Sequence, residues 1–115
     1  MYKPVRVTVW TDDEIKPKEI KITVSEEPVT LDSTLHNGIE WTLEDSPGWS
    51  FTKKNGHYNG IQIKQQGTKF RHHSSDKTKH KWDRVTGGGA RYTISVTNDA
   101  HPDFILTWDP SIMND

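Results

Sequence analysis

Residues 91–98 read RYTISVTN, and this stretch decides the fold class. In an extended chain successive side chains point to opposite faces. Tyr92, Ile94 and Val96 therefore share one side, and Arg91, Thr93, Ser95 and Thr97 share the other. Bulky β-favouring residues at period two, alternating with polar ones, predict a strand with one buried and one wet face.

The same period recurs along the chain. Val5, Val7 and Val9 alternate with Arg6, Thr8 and Trp10; Ile20, Ile22 and Val24 alternate with Lys21 and Thr23. Ile39, Trp41 and Leu43 form a third set, with Glu40, Thr42 and Glu44 turned outward. Trp49 with Phe51, Ile61 with Ile63, and Phe104 with Leu106 and Trp108 complete seven strands. Two more are expected around Val29–Leu31 and Lys69–His72. No window of a dozen residues carries the i, i+3, i+4, i+7 apolar stripe of an amphipathic helix.

Prolines 4, 17, 28, 47, 102 and 110 fall between these runs or at their ends. Asn-Gly occurs at 37–38, 55–56 and 59–60, a pair suited to the positive φ angles of tight hairpins. Asp12-Asp13-Glu14, Glu26-Glu27 and Glu44-Asp45 read as solvated turns at strand ends. Many short strands separated by turn signals predict an all-β fold, an antiparallel β-sandwich of seven to nine strands. Its topology would be immunoglobulin-like or cupredoxin-like, and residues 1–115 would make one domain.

Composition narrows the chemistry. The chain has no cysteine, so disulfides, thiolate metal sites, blue copper and a cysteine nucleophile are excluded. A cysteine-free small domain leans toward a reducing, cytoplasmic compartment. No apolar run has the length of a signal peptide or a membrane span, so no membrane contact is expected. A formal net charge of −1 provides no global field for nucleic acid, and none is expected as a partner.

The C-terminal half, from GIQIK through HKWDR and RYTISVTN to FILTWDPSIMND, resembles small bacterial β-sandwich domains of unknown function. The resemblance rests on the strand pair Tyr92 to Val96 and Phe104 to Trp108, followed by Asp109, Pro110, Ile112 and Asn114. It implies an immunoglobulin-like or copper-free cupredoxin-like fold and brings no activity with it.

Residues 71–84, RHHSSDKTKHKWDR, concentrate functional residue types. His72 and His73 are adjacent and so part to opposite faces of a strand. One of them could meet His80, His101 and Asp76 or Asp103 at a metal, but nothing in the spacing requires it, and the plain reading is solvated loop histidines. Lys77, Lys79 and Lys81 share a face of an extended segment and discourage edge-to-edge pairing of strands. By alternation Trp41, Trp49 and Trp108 are core, while Trp10 and Trp82, with Tyr58, are surface aromatics. Residues 69–72 should end a strand, 73–79 form a polar turn, and 80–84 begin the next strand.

No nucleophile elbow, zinc-protease helix or phosphate-binding glycine loop occurs. Asp99, His101 and Asp103 hold the raw material of general base chemistry, but Pro102 between them marks a turn. The chain is thus expected to be a non-enzymatic binding or structural module without cofactor or metal, acting through contacts with another protein or with itself. The alternative is a carbohydrate- or anion-binding domain in which Trp82, His80, His72, Tyr58 and Lys81 form the ligand site. A histidine-based metal protein or small enzyme ranks last.

Overall fold

The computed structural model describes residues 1–12, 19–64 and 69–114. Asp13, Glu14 and Pro17, named above among the turn signals, lie outside them. The strands in chain order are β1 (Tyr2–Asp12), β2 (Glu19–Val24), β3 (Val29–Leu31), β4 (Gly38–Leu43), β5 (Trp49–Phe51), β6 (Lys53–Lys54) and β7 (His57–Tyr58). They continue with β8 (Ile61–Ile63), β9 (Phe70–Ser75), β10 (Lys79–Arg84), β11 (Ala90–Asn98), β12 (Ile105–Trp108) and β13 (Ser111–Asn114). The fold is all-β, and no helix among the described residues is long and apolar enough to cross a membrane.

One sheet runs β2-β1-β4-β10-β9. The other is built on β11. Along one side β11 pairs with β12 and then β13; along the other it pairs with β8 and then β5. β13 in turn pairs with β3. The expectation of a purely antiparallel arrangement is corrected here. β1 lies parallel to β4, with Val5 opposite Trp41, and β3 lies parallel to β13, with Val29 opposite Ile112. Alternation has the same period in both kinds of ladder, so it carries no information on strand direction.

The inner residues of both sheets form one apolar cluster. Val5, Val7, Val9, Ile39, Trp41 and Trp82 come from the first sheet, and Phe51, Ile61, Ile63, Tyr92, Ile94 and Val96 from the second. Trp41 meets Tyr92 across the sheets at a ring separation of 5.0 Å, and Phe51 meets His80 at 4.9 Å. Fully burying an aliphatic or aromatic side chain contributes about 1.5–3 kcal/mol, so this cluster is the main term holding the sheets together.

Two glycines show how different constraints produce the same dipeptide. Asn55 and Gly56, at φ 53° and 81°, close the β6–β7 hairpin in the positive-φ geometry that a two-residue turn requires. Asn37-Gly38 makes no such turn. Gly38 starts β4, where an added Cβ would lie 2.2 Å from the Trp82 carbonyl oxygen and 2.6 Å from the Tyr2 ring. That glycine lets β10 and the Tyr2 ring approach the backbone of β4.

Candidate functional site

The 71–84 segment is a hairpin longer than its polar composition suggests. β9 extends to Ser75, so the expected turn of 73–79 shortens to residues 76–78. Asp76 makes that turn, its Oδ1 accepting the N–H groups of Thr78 and Lys79 at 2.9 and 2.8 Å. The register shifts between Lys81 and Trp82: Lys81 lies opposite Ser74, and Trp82 opposite His72. His73 is the extra residue of this bulge.

The outer face of the hairpin holds Lys81. Its Nζ lies 3.4 Å from Glu40 and 4.6 Å from the centre of the Tyr2 ring. The Tyr2 hydroxyl donates to Asp83 Oδ1, and Asp83 Oδ2 lies 3.1 Å from His73 Nδ1. Burial alone would raise the Asp83 pKa, but the hydrogen bonds with Tyr2 and His73 outweigh it and hold the carboxyl below its ordinary value. Each charge in this group has an opposite charge or a hydrogen-bond donor beside it, so the network has no reactive group in excess.

The inner face reverses two expectations. His80 and Trp82, read as exposed, are 1% and 2% exposed. β10 is an interior strand between β4 and β9, and alternate residues of such a strand face the opposite sheet whatever their polarity. His80 packs edge-on to Phe51, and neither of its ring nitrogens has a hydrogen-bond partner. Burial, helped by charge on His72 and opposed by Asp76, pushes its pKa down to about 4. His80 is therefore a neutral core residue at pH 7.

His72 lies at the end of this row. Its ring stands edge-on to Trp82 at 5.3 Å and lies 6.2 Å from His80. Burial and charge on His73 lower its pKa. His72, Trp82 and Tyr58 meet at a cavity of about 240 Å³, whose walls also include His57, Asn59, Gln62 and Ser75. Three of the five expected ligand residues thus converge. His80 sits behind them in the core, and Lys81 belongs to the outer face. Asn59 and Gln62 carried no signal of their own, because amides suit any turn or wet strand face.

The other histidine cluster disperses. The N–H groups of Ala100 and His101 are held by Asn98 Oδ1 at 2.9 and 3.1 Å, and Asp99 accepts the Ser50 hydroxyl at 2.5 Å. That segment is a turn. Among the described residues no group of three His, Asp or Glu side chains is placed to hold a metal ion.

A second surface lies at β12. Phe104 and Trp108, read as core, are 46% and 37% exposed, and Ile105 is 50% exposed. β12 pairs only with β11 among the described residues, so its other side presents unpaired backbone groups. It runs beside β2, one of the two edges of the first sheet, and the two strands flank a groove of about 250 Å³. Ile20, Ile22, Leu106 and Trp108 line that groove. A signal was available: Phe104 to Leu106 is three consecutive apolar residues, which cannot all face one core.

Neither the known protein-family models nor the curated proteins contain a match to this chain.

Proposed function

We propose that this chain is a non-catalytic β-sandwich module, of immunoglobulin-like or copper-free cupredoxin-like form, that works by protein–protein contact through the open edge of β12. The observation that carries this reading is the edge itself. The strand Ile105–Trp108 contains no charge and no proline, and Ile105 and Trp108 are exposed beside backbone that no other described strand pairs with.

Edge strands are ordinarily blunted by charge, bulges or covering segments. β9, the edge at the far side of the first sheet, has Arg71, His72 and His73 exposed and a bulge. β2 has Glu19 and Lys21. β12 has none of these devices. An extended strand added there gains backbone hydrogen bonds and covers apolar side chains, the mode of β-augmentation.

The occupant that fits is a second copy of the same strand. Two β12 strands related by a two-fold axis and running antiparallel set Ile105 against Trp108 and Leu106 against Thr107, with no charge facing a like charge. Four residues a side make a small contact, so the association is weak, with a dissociation constant of micromolar to millimolar order.

Sedimentation equilibrium tests this directly. The average mass of the wild type should rise from 13.2 kDa toward twice that value with concentration, and Ile105→Lys should hold it at the monomer. A wild-type mass that stays at the monomer into the millimolar range, or an Ile105→Lys variant that associates equally well, would overturn the reading.

A further inference from the structure

The cavity beside Tyr58 and Trp82 shares no lining residue with β12 and does not depend on its open edge. One wall is the β7–β8 segment, with His57, Tyr58, Asn59 and Gln62; the other is the β9–β10 hairpin, with His72, Ser75 and Trp82. The Ser75 hydroxyl donates to the Tyr58 carbonyl at 3.0 Å and ties the two walls together.

Two of the lining side chains each hold a buried polar atom that is anomalous. The indole Nε1–H of Trp82, a side chain 2% exposed, has no acceptor, and Asn59 Oδ1 has no donor. Leaving a buried donor or acceptor unpaired costs about 1–3 kcal/mol, and nearly all such groups in native proteins are paired by protein, water or ligand. One is a donor and the other an acceptor, so a single molecule bearing hydroxyl groups can satisfy both.

The lining also selects by charge and size. Among the described residues it contains no Lys, Arg, Asp or Glu. Lys53, the near cation, stacks over the Tyr58 ring at 5.2 Å and does not line the cavity. His72 carries a lowered pKa from burial and from charge on His73, which favours the neutral imidazole at pH 7. An anion therefore finds no fixed counter-charge. Amide, hydroxyl and imidazole groups beside two aromatic rings match a molecule with hydroxyls on its edge and C–H bonds on its face. At about 240 Å³ the space is below that of a site for drug-sized ligands.

We propose that this cavity binds a single neutral sugar ring, whose hydroxyls pair with Asn59 Oδ1, the Gln62 amide and the Trp82 indole N–H. The affinity expected of one ring is of millimolar order.

The test is ¹⁵N NMR of the five tryptophan indole groups during titration with the methyl glycosides of glucose, galactose, mannose and N-acetylglucosamine, and separately with inorganic phosphate. At least one glycoside should move the Trp82 indole resonance saturably. Asn59→Ala and Gln62→Ala, at half-buried and exposed positions, should each weaken that binding by about tenfold, the equivalent of 1.4 kcal/mol. Their dispersed spectra would confirm that both variants fold. The proposal is overturned if no glycoside shifts Trp82, if both variants bind as the wild type does, or if phosphate alone produces a saturable shift.

Discussion

The β9–β10 hairpin and the β12 strand exchange the roles their compositions suggest. The hairpin is rich in histidine and lysine, yet it places His80 and Trp82 in the core at 1% and 2% exposure. β12 and its preceding residue are mostly apolar, yet Phe104, Ile105 and Trp108 remain 37–50% exposed. The difference is position in the sheet. β10 has a strand on each side and Phe51 from the other sheet above it. Among the described residues β12 has a strand on one side only. Burial follows what lies opposite a residue, and hydrophobicity only sets the free energy gained when something does.

Truncating the tryptophan of each region should show the widest contrast. Trp82→Ala should cost about 3–5 kcal/mol, through lost burial and the cavity left behind, whereas Trp108→Ala should cost about 1 kcal/mol or less. Urea unfolding of both variants measures the gap, and equal losses would break the comparison.

Acid should act through the hairpin and not through β12. The unfolded chain protonates His80 below about 6.5, but the folded chain does so only near 4. The stability that depends on a neutral His80 is therefore fully present above pH 6.5, falls as pH drops toward 4, and is lost below. The loss is on the order of 3 kcal/mol for a shift of this size. His80→Leu should flatten that part of the pH–stability curve. It should also raise stability at pH 7 by about 1 kcal/mol, since it removes a buried polar ring without partners. A variant with the wild-type acid profile would assign the acid sensitivity to other groups.

The wet face of the hairpin should matter less than its dry face. Tyr2→Phe removes the hydrogen bond to Asp83. With both side chains partly solvated, the expected loss is about 1 kcal/mol and shrinks with added salt. A loss comparable to that of Trp82→Ala would mean that the outer network, not the core row, organises the hairpin. Ile105→Lys should have the smallest effect on stability, within about 0.5 kcal/mol, while abolishing self-association. That combination would mark β12 as a surface for contact and not a support of the fold.

Much of the frame was legible locally. The alternation of Val5 to Val9, Ile39 to Leu43 and Tyr92 to Val96 identified strands and the faces they bury. The site was legible only in part. Tyr58, His72 and Trp82 do converge on one cavity, but the exposure expected of Trp82 was wrong, because its charged neighbours Lys81 and Asp83 describe the other face of the strand. Asn59 and Gln62 gave no sign, since their role arises only where β7–β8 comes up against β9–β10.

By itself, then, the sequence determined that the chain forms strands, where most of them run, and which side of β1, β4 and β11 is apolar. These are properties of neighbouring residues, set by the two-residue period of an extended backbone. Only the tertiary structure decided that β1 and β3 lie parallel to β4 and β13, that His80 belongs to the core, and that β12 stands at an open edge. Those outcomes depend on segments far apart in the chain meeting across and along the sheets, and a local pattern is the same whichever partner it meets.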